Sequence, residues 1–340
     1  MPFFKIGTIG GTPDAYITRD LFEEYKAKYN YPHEGEVMIT CAGTVGKTIV
    51  FDGEDAYFQD SNIVWLSNPK QLYINSFLNY VLSRVNWNIL NSTTITRIYN
   101  DNLRELVINY PSIKEQEKIV ALLSLLDRRI AIQNKVIEDL KKLKTALEER
   151  MLGQCQGKQV RLRDILIERV EKSRINNQYE VLSSTVSGIY SQREYFNKEI
   201  ASADNTGYKT IHRGDVVLSP QNLWMGNINY NDRFEIGIVS PSYKVFSIDE
   251  KFDKGYIAFL LKTRKALWAY SLVSEQGASI VRRNLNYESF LEISFVIPSL
   301  KEQQATARRL SAFKQKQTME EAFLRSLLLQ KEFMLKTLFI

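Results

Sequence analysis

The sequence predicts an α+β protein built as two unequal copies of one unit, a mixed strand and helix domain followed by a long helix. Three observations predict it: a short motif that occurs twice, an unbroken helical periodicity after each occurrence, and a looser repeat within the globular parts. Tyr110-Pro111-Ser112-Ile113-Lys114-Glu115-Gln116 returns as Ile297-Pro298-Ser299-Leu300-Lys301-Glu302-Gln303, 187 residues further on. Each copy follows an apolar stretch that reads as a strand, residues 105–109 and 292–297, and each opens a helix. Proline at a helix start costs no hydrogen bond, the adjacent serine can cap, and a first-turn glutamate suits the helix dipole.

Helical spacing then runs without Gly or Pro over 112–152 and 299–340. Steps of four and three from Ile119 reach Leu123, Leu126, Ile130, Gln133, Ile137, Leu140, Lys144, Leu147 and Met151, eight of ten of them apolar, which is coiled-coil spacing. The matching positions are Thr306, Leu310, Phe313, Gln317, Glu320, Leu324, Leu327, Lys331, Met334 and Leu338, with six of ten apolar. The polar breaks coincide, Gln133 with Glu320 and Lys144 with Lys331. Polar seam residues set register, so the two helices are expected to pair with each other; the competing reading lays each on its own domain.

Within the globular parts, His33-Glu34-Gly35-Glu36-Val37-Met38-Ile39 matches His212-Arg213-Gly214-Asp215-Val216-Val217-Leu218, each reading as a glycine turn into a buried strand. Residues 76–82 and 256–261 read as short amphipathic helices, and 48–51 and 63–66 as strands. Hydrophobic residues make up 44% and charged residues 25%, the balance of a folded chain. A net charge of +6 permits a polyanionic partner without demanding one. Two cysteines, Cys41 and Cys155, and two histidines, His33 and His212, stand apart, so no disulfide framework or metal site is expected. The start of the sequence has no leader pattern and no run of about 18 apolar residues follows, which predicts a cytoplasmic protein.

At the twice-occurring P-S-[IL]-K-E-Q start, at Leu126-Asp127-Arg128-Arg129-Ile130, at Gly35-Glu36-Val37 with Ala42-Gly43-Thr44-Val45-Gly46-Lys47, and at Gln59-Asp60-Ser61-Asn62, the chain resembles the specificity subunits of type I restriction-modification enzymes. The resemblance covers nearly the whole chain. It implies two target-recognition domains separated by two long helices that form an antiparallel coiled coil: a first recognition domain at 1–110, a spacer helix at 111–153, a second recognition domain at 154–297 and a second helix at 298–340. Each domain would read one half of a split site on double-stranded DNA. Two methyltransferase subunits would grip the helices, with restriction and translocase subunits in the full assembly. The resemblance further implies that this chain is not catalytic and binds no cofactor, its partners using S-adenosylmethionine, ATP and Mg. A helix of about 40 residues spans roughly 60 Å, against about 34 Å per turn of DNA. The second half carries an entry segment, 160–178, that the first lacks, so the first domain is expected to be shortened.

Other chemistry is weaker. Gly43-Thr44-Val45-Gly46-Lys47-Thr48 imitates a phosphate loop, but that motif needs glycine where Cys41 stands; a glycine-rich turn ending in lysine either brings backbone amides and an ammonium to a DNA phosphate or is a tight turn between strands. Asp14, Glu24 and Lys26 imitate a Mg-dependent nuclease, yet 18–29 reads as a capped amphipathic helix that points Glu and Lys to different faces. No N-P-P-Y loop is present, so adenine methylation falls to a partner. The alternatives to a DNA-reading subunit are a defective specificity subunit that holds methyltransferase without a full site, and a self-sufficient nuclease. For base reading, polar and basic residues in Gly- or Thr-rich loops are the candidates: Lys47, Thr93, Thr94 and Arg97 in the first domain, and Gln221, Asn222, Arg282 and Arg283 in the second. Arg97 and Arg283 stand 14 and 15 residues before their prolines. Each could instead serve an ion pair inside its repeat.

Overall fold

The computed structural model describes residues 1–58, 62–87, 97–196, 204–276 and 282–339. These fall into two compact units, 1–135 with 322–340, and 136–321. The first unit contains β1 (Pro2–Phe4), β2 (Ala15–Tyr16), α1 (Arg19–Lys28), β3 (Val37–Thr40), β4 (Thr48–Val50), β5 (Tyr57–Phe58), β6 (Ile63–Leu66), α2 (Asn75–Arg84), α3 (Asn100–Arg104) and the start of α4 (Ile113–Gly153). The second contains β7 (Lys158–Arg161), α5 (Leu162–Ile165), β8 (Leu166–Arg169), β9 (Leu182–Ser184), β10 (Ile189–Ser191), α6 (Gln192–Phe196), β11 (Lys209–His212), β12 (Val216–Leu218), a 3₁₀ turn (Pro220–Met225), β13 (Ile228–Tyr230), β14 (Ile236–Val239) and β15 (Lys244–Ile248). It continues with α7 (Lys254–Leu260), α8 (Arg264–Leu272), β16 (Ser274–Gln276), β17 (Arg283–Leu285), α9 (Tyr287–Glu292), β18 (Ser294–Ile297) and the start of α10 (Leu300–Thr337).

The internal repeat is a repeat of one sheet. β3 lies between β4 and β6, with Val37 opposite Val50 and Leu66. β12 lies between β13 and β15, with Val216 opposite Tyr230 and Phe246. Both central strands are apolar at successive positions because both faces are covered. Val37 and Ile39 pack with Leu78 and Leu82, while Met38 packs on the other side with Phe51, Phe58 and Ile63. Val216 and Leu218 likewise face one core and Val217 another. The turn that enters each strand is also shared. Gly35 and Gly214 have φ of +84° and +95°, a left-handed conformation that glycine adopts without a Cβ penalty. The acid that follows folds back: the Glu36 carboxylate accepts from the His33 amide at 3.0 Å, and Asp215 from the His212 amide at 2.7 Å. Burial pushes the Asp215 carboxyl up, against the opposing pull of that bond and of Arg169.

The two units differ where the entry segment falls. β8 pairs with β15 and adds a fourth strand to the second sheet, and β7 pairs with β18. The stretch at 105–109, read as a strand, is irregular. Leu106 and Ile108 turn inward and Val107 outward, so the side-chain alternation of a strand is there, but no strand among the described residues pairs with it as β7 pairs with β18. Alternation identifies a half-buried extended segment; only a partner makes it a strand. The helix read at 18–29 is α1, whose cap Thr18 accepts from the Leu21 amide.

The repeated P-S-[IL]-K-E-Q motif ties each long helix to its domain. Ser112 and Ser299 donate through Oγ to Glu115 and Glu302 three residues on, at 3.0 and 2.7 Å, a serine–glutamate pairing close to a capping box. The glutamine goes inward. Gln116 is wholly buried and Gln303 is 2% exposed. Gln116 accepts through Oε1 from the Ile74 amide at 2.8 Å and donates through Nε2 to the Pro111 carbonyl at 2.9 Å. Gln303 repeats this with the Asp253 amide and the Pro298 carbonyl, both at 2.9 Å. Ile74 and Asp253 are the N-cap residues of α2 and α7, whose first amides have no intrahelical acceptor.

All twenty seam positions are buried or half-buried. Within the first unit α4 and α10 run antiparallel, with Arg129 over the Phe323 ring and Lys331 paired to Asp127. Within the second, Lys141 pairs with Glu321, and Leu152 shares a core with Ala307 and Leu310. The polar break at Lys331 is neutralised: Asp127 holds its Nζ at 2.5 Å and accepts from the Tyr80 hydroxyl at 2.8 Å. The break at Lys144 is met from its own helix by Glu148 at 3.5 Å.

Replacing Gln303 by Ala strands the Asp253 amide and the Pro298 carbonyl. Stability is expected to fall by about 1–3 kcal/mol, read as a lowered urea midpoint, whereas Gln304→Ala, one residue on and exposed, is expected to leave the midpoint within about 0.5 kcal/mol of the parent's.

Candidate nucleic-acid interface

The equivalence of the two sheets makes two connections equivalent as well: 41–47, which joins β3 to β4, and 219–227, which joins β12 to β13. Sequence candidates from both halves lie on them. In the first, Thr40 Oγ1 accepts from the Lys47 amide at 3.1 Å and donates to the Thr44 carbonyl, and the Gly46 amide closes onto the Thr40 carbonyl at 2.8 Å. Gly46 has φ of +82°, and a Cβ there would lie 2.1 Å from Cδ1 of Trp87. Lys47 follows as an exposed residue whose Nζ donates to the Ile9 carbonyl. A loop between antiparallel strands offers no helix N-terminus to a phosphate, which disposes of the nucleotide-loop reading by topology as well as spacing.

Arg97 is brought to this loop by the chain that follows it, since the Ile98 amide donates to the Cys41 carbonyl at 2.9 Å. Its guanidinium lies 5.9 Å from the Tyr99 ring. Burial raises the Cys41 thiol and the Arg97 charge opposes that rise. Thr93 and Thr94 lie outside the described residues, as do Gln59, Asp60 and Ser61.

In the second unit the loop is a 3₁₀ turn that Gly226 ends at φ +88°. Gln221 is exposed on it and Asn222 half-buried. Arg282 is exposed, and Arg283, the first residue of β17, places its guanidinium 4.1 Å from the centroid of the Trp224 ring. The structure thus sets an arginine beside the same loop in each unit, although 97 and 283 are remote from 41–47 and 219–227 in sequence.

One neighbour escaped the sequence reading. Lys262 is exposed as a residue, but its Nζ donates to the Gly226 carbonyl at 2.8 Å and the Val186 carbonyl at 3.1 Å, and withdrawal from water pushes the ammonium down to about 8. A lone lysine at the end of a short helix carries no signal of this; the two carbonyls come from other elements.

The nuclease candidates are dispersed. Asp14 pairs with Lys5 at 3.0 Å, and Lys26 pairs with Asp55 at 2.7 Å beneath the Tyr31 ring. Glu24 is exposed on α1. Among the described residues no group of three or more His, Cys, Asp and Glu side chains is gathered as a metal would require, and no helix is long and apolar enough to cross a membrane.

The family model for the type I restriction modification DNA specificity domain matches residues 1–142 and 158–327. The chain belongs to this family. A putative type I restriction enzyme specificity subunit of Haemophilus influenzae is 48% identical over 140 residues, 41% of this chain and 36% of the relative, so the match spans little more than a third of that protein. The crystal structure of the type I restriction-modification system S subunit from M. genitalium matches all of this chain and 88% of its own with a TM-score of 0.58 at 18% identity. A structure described as showing complex assembly and conformational transition of the type I R-M system matches 90% of this chain and 82% of its own, with a TM-score of 0.54 at 12% identity. At such identities these structures speak for the fold, and they agree with the α+β architecture of repeated domains and long helices.

Gly46→Ala is expected to strain the first loop, through its backbone angle and through Trp87. A loss of about 1–3 kcal/mol in urea unfolding is anticipated, whereas Gly207→Ala, where a Cβ meets nothing within 4 Å but φ is also positive at +80°, tests the backbone contribution alone and should cost about 1–2 kcal/mol.

Proposed function

We infer that the chain is a non-catalytic DNA-reading subunit of a type I restriction-modification complex, with one half of a bipartite site read by each sheet and its loop. The observation that carries this reading is the recurrence, beside equivalent β3–β4 and β12–β13 connections, of a polar or basic loop and an arginine just ahead of the repeated helix start. Because the two loops present different side chains, Lys47 on one and Gln221 and Asn222 on the other, the two half-sites differ in sequence. Methyltransferase subunits supply S-adenosylmethionine chemistry at adenine, and restriction and translocase subunits supply the ATP- and Mg-dependent steps; this chain supplies the address.

Support for helix-bound methyltransferase comes from apolar side chains that the α4–α10 seam leaves outside. In the first unit these include Leu125, Ile132, Leu329 and Phe333, each more than half exposed. Exposed apolar side chains gathered on paired helices suit a protein partner.

Co-expression with a cognate methyltransferase subunit, followed by mapping of modified adenines, tests the reading: a split motif with unlike halves is expected, and a single continuous motif, or no modified site, would sink it. Lys47→Ala is expected to weaken DNA binding about equally on all sequences and to lower the salt-dependence slope by about one. Leu125→Asp combined with Ile132→Asp is expected to abolish co-purification of methyltransferase while leaving the melting temperature of the isolated chain within about 2 °C.

A further inference from the structure

Arginine side chains inside a folded protein ordinarily find a carboxylate or a carbonyl, because a buried guanidinium nitrogen without a partner costs about as much as a lost hydrogen bond. Arg283 has neither. Its Nε is buried and has no hydrogen-bond partner among the described residues, and no ion pair is made to it among them. What it has is the face of Trp224, 4.1 Å from guanidinium carbon to ring centroid. Among the described residues, then, Arg283 serves no ion pair inside its repeat.

Local structure explains how it is held. β17 pairs antiparallel with β16, with Arg283 opposite Gln276 and Leu285 opposite Ser274. Side chains two apart on a strand share a face, so Arg283 lies on the side of Leu285, which packs on the core of the second unit. Trp224 belongs to the 3₁₀ turn, whose end is fixed by Gly226 and by Lys262 on the Gly226 carbonyl. Both stacking partners are therefore carried by anchored backbone. An indole face attracts the guanidinium and orients its plane while occupying none of its N–H donors.

A planar cation oriented this way, with no donor spent among the described residues, next to exposed Gln221 on the same loop as Trp224 and exposed Arg282 just ahead of β17, matches one ligand well. Guanine presents two acceptors, O6 and N7, on one edge in the major groove, at the spacing of an arginine fork. We propose that Arg283, braced by Trp224, reads a guanine in the half-site of the second unit. The proposal rests on the DNA-reading function inferred above and adds a residue, a base and a positioning partner to it. The ammonium of a lysine lacks the fork, and a phosphate, the other bidentate acceptor, carries no sequence information; both differences are measurable.

The test uses the full chain assembled with its methyltransferase. Modified-adenine maps are compared for the parent, Arg283→Lys, Arg283→Ala and Trp224→Leu, with urea unfolding of each variant alongside. The parent motif is expected to contain a G·C pair in one half at a position where both arginine variants relax discrimination by about ten- to a hundredfold, all other positions of both halves being kept. Trp224→Leu is expected to relax the same position to a smaller degree. An unchanged motif in the arginine variants overturns the proposal. So does a uniform loss of modification at every site, which would make Arg283 a phosphate contact. Disappearance of the whole half-site together with a lowered unfolding midpoint in Arg283→Lys would make it a structural residue, and also overturns it. A parent complex with a clear split motif and any of these outcomes leaves the function standing; a parent complex that modifies no site removes both.

Discussion

The buried glutamine at the head of each long helix is the constraint on which the rest of the structure hangs. Gln116 and Gln303 accept from the cap amide of a domain helix and donate back to the proline carbonyl that precedes their own helix. A primary amide in a dry interior has two donors and an acceptor to satisfy, and it holds its neighbours only where the geometry suits all of them. The direction in which α4 and α10 leave their sheets is thereby tied to α2 and α7. The seam that follows can then be read as a consequence: a helix launched in a set direction buries the same face along its length, and the polar breaks are met by groups already in place, Lys331 by Asp127 and Lys144 by Glu148.

A second constraint operates at the entry to each central strand. The turns at Gly35 and Gly214, closed by the carboxylates of Glu36 and Asp215, deliver β3 and β12 into their cores with the same register. With the central strand in place and its neighbours paired, the connection beyond it is free to vary. One unit has a glycine-rich loop ending in Lys47, the other a 3₁₀ turn bearing Gln221 and Trp224. Conserved scaffold and divergent loop are the physical form that two unlike readers on one repeat would take.

Much of this was legible in the residues. The helix starts, the seam, the glycine turns and the strands they enter came from periodicity and from the chemistry of Pro, Ser, Glu and Gly, all of which act over a few residues. Residues 105–109 mark the limit of local pattern, since they alternate as a strand does and no strand among the described residues pairs with them. The motif glutamine shows it too. Its repetition marked it, but nothing local distinguishes a surface glutamine from one that holds two helices together. The pairing of candidates is the least legible part: neither the distance of Arg97 and Arg283 from a proline nor the glycines and amides of the loops indicates that they meet.

What the sequence determined by itself was the duplicated plan of strand-rich domain and long helix, because hydrophobic period, capping and turn chemistry are local and survive in the one-dimensional record. The tertiary structure decided which groups face each other: that Arg283 lies on Trp224, that Lys262 seats its ammonium between two carbonyls, and that Lys26 pairs with Asp55. Those outcomes depend on contacts between segments tens of residues apart, set by how the sheets pair and which cores exclude water, and such contacts leave no periodic trace in the chain.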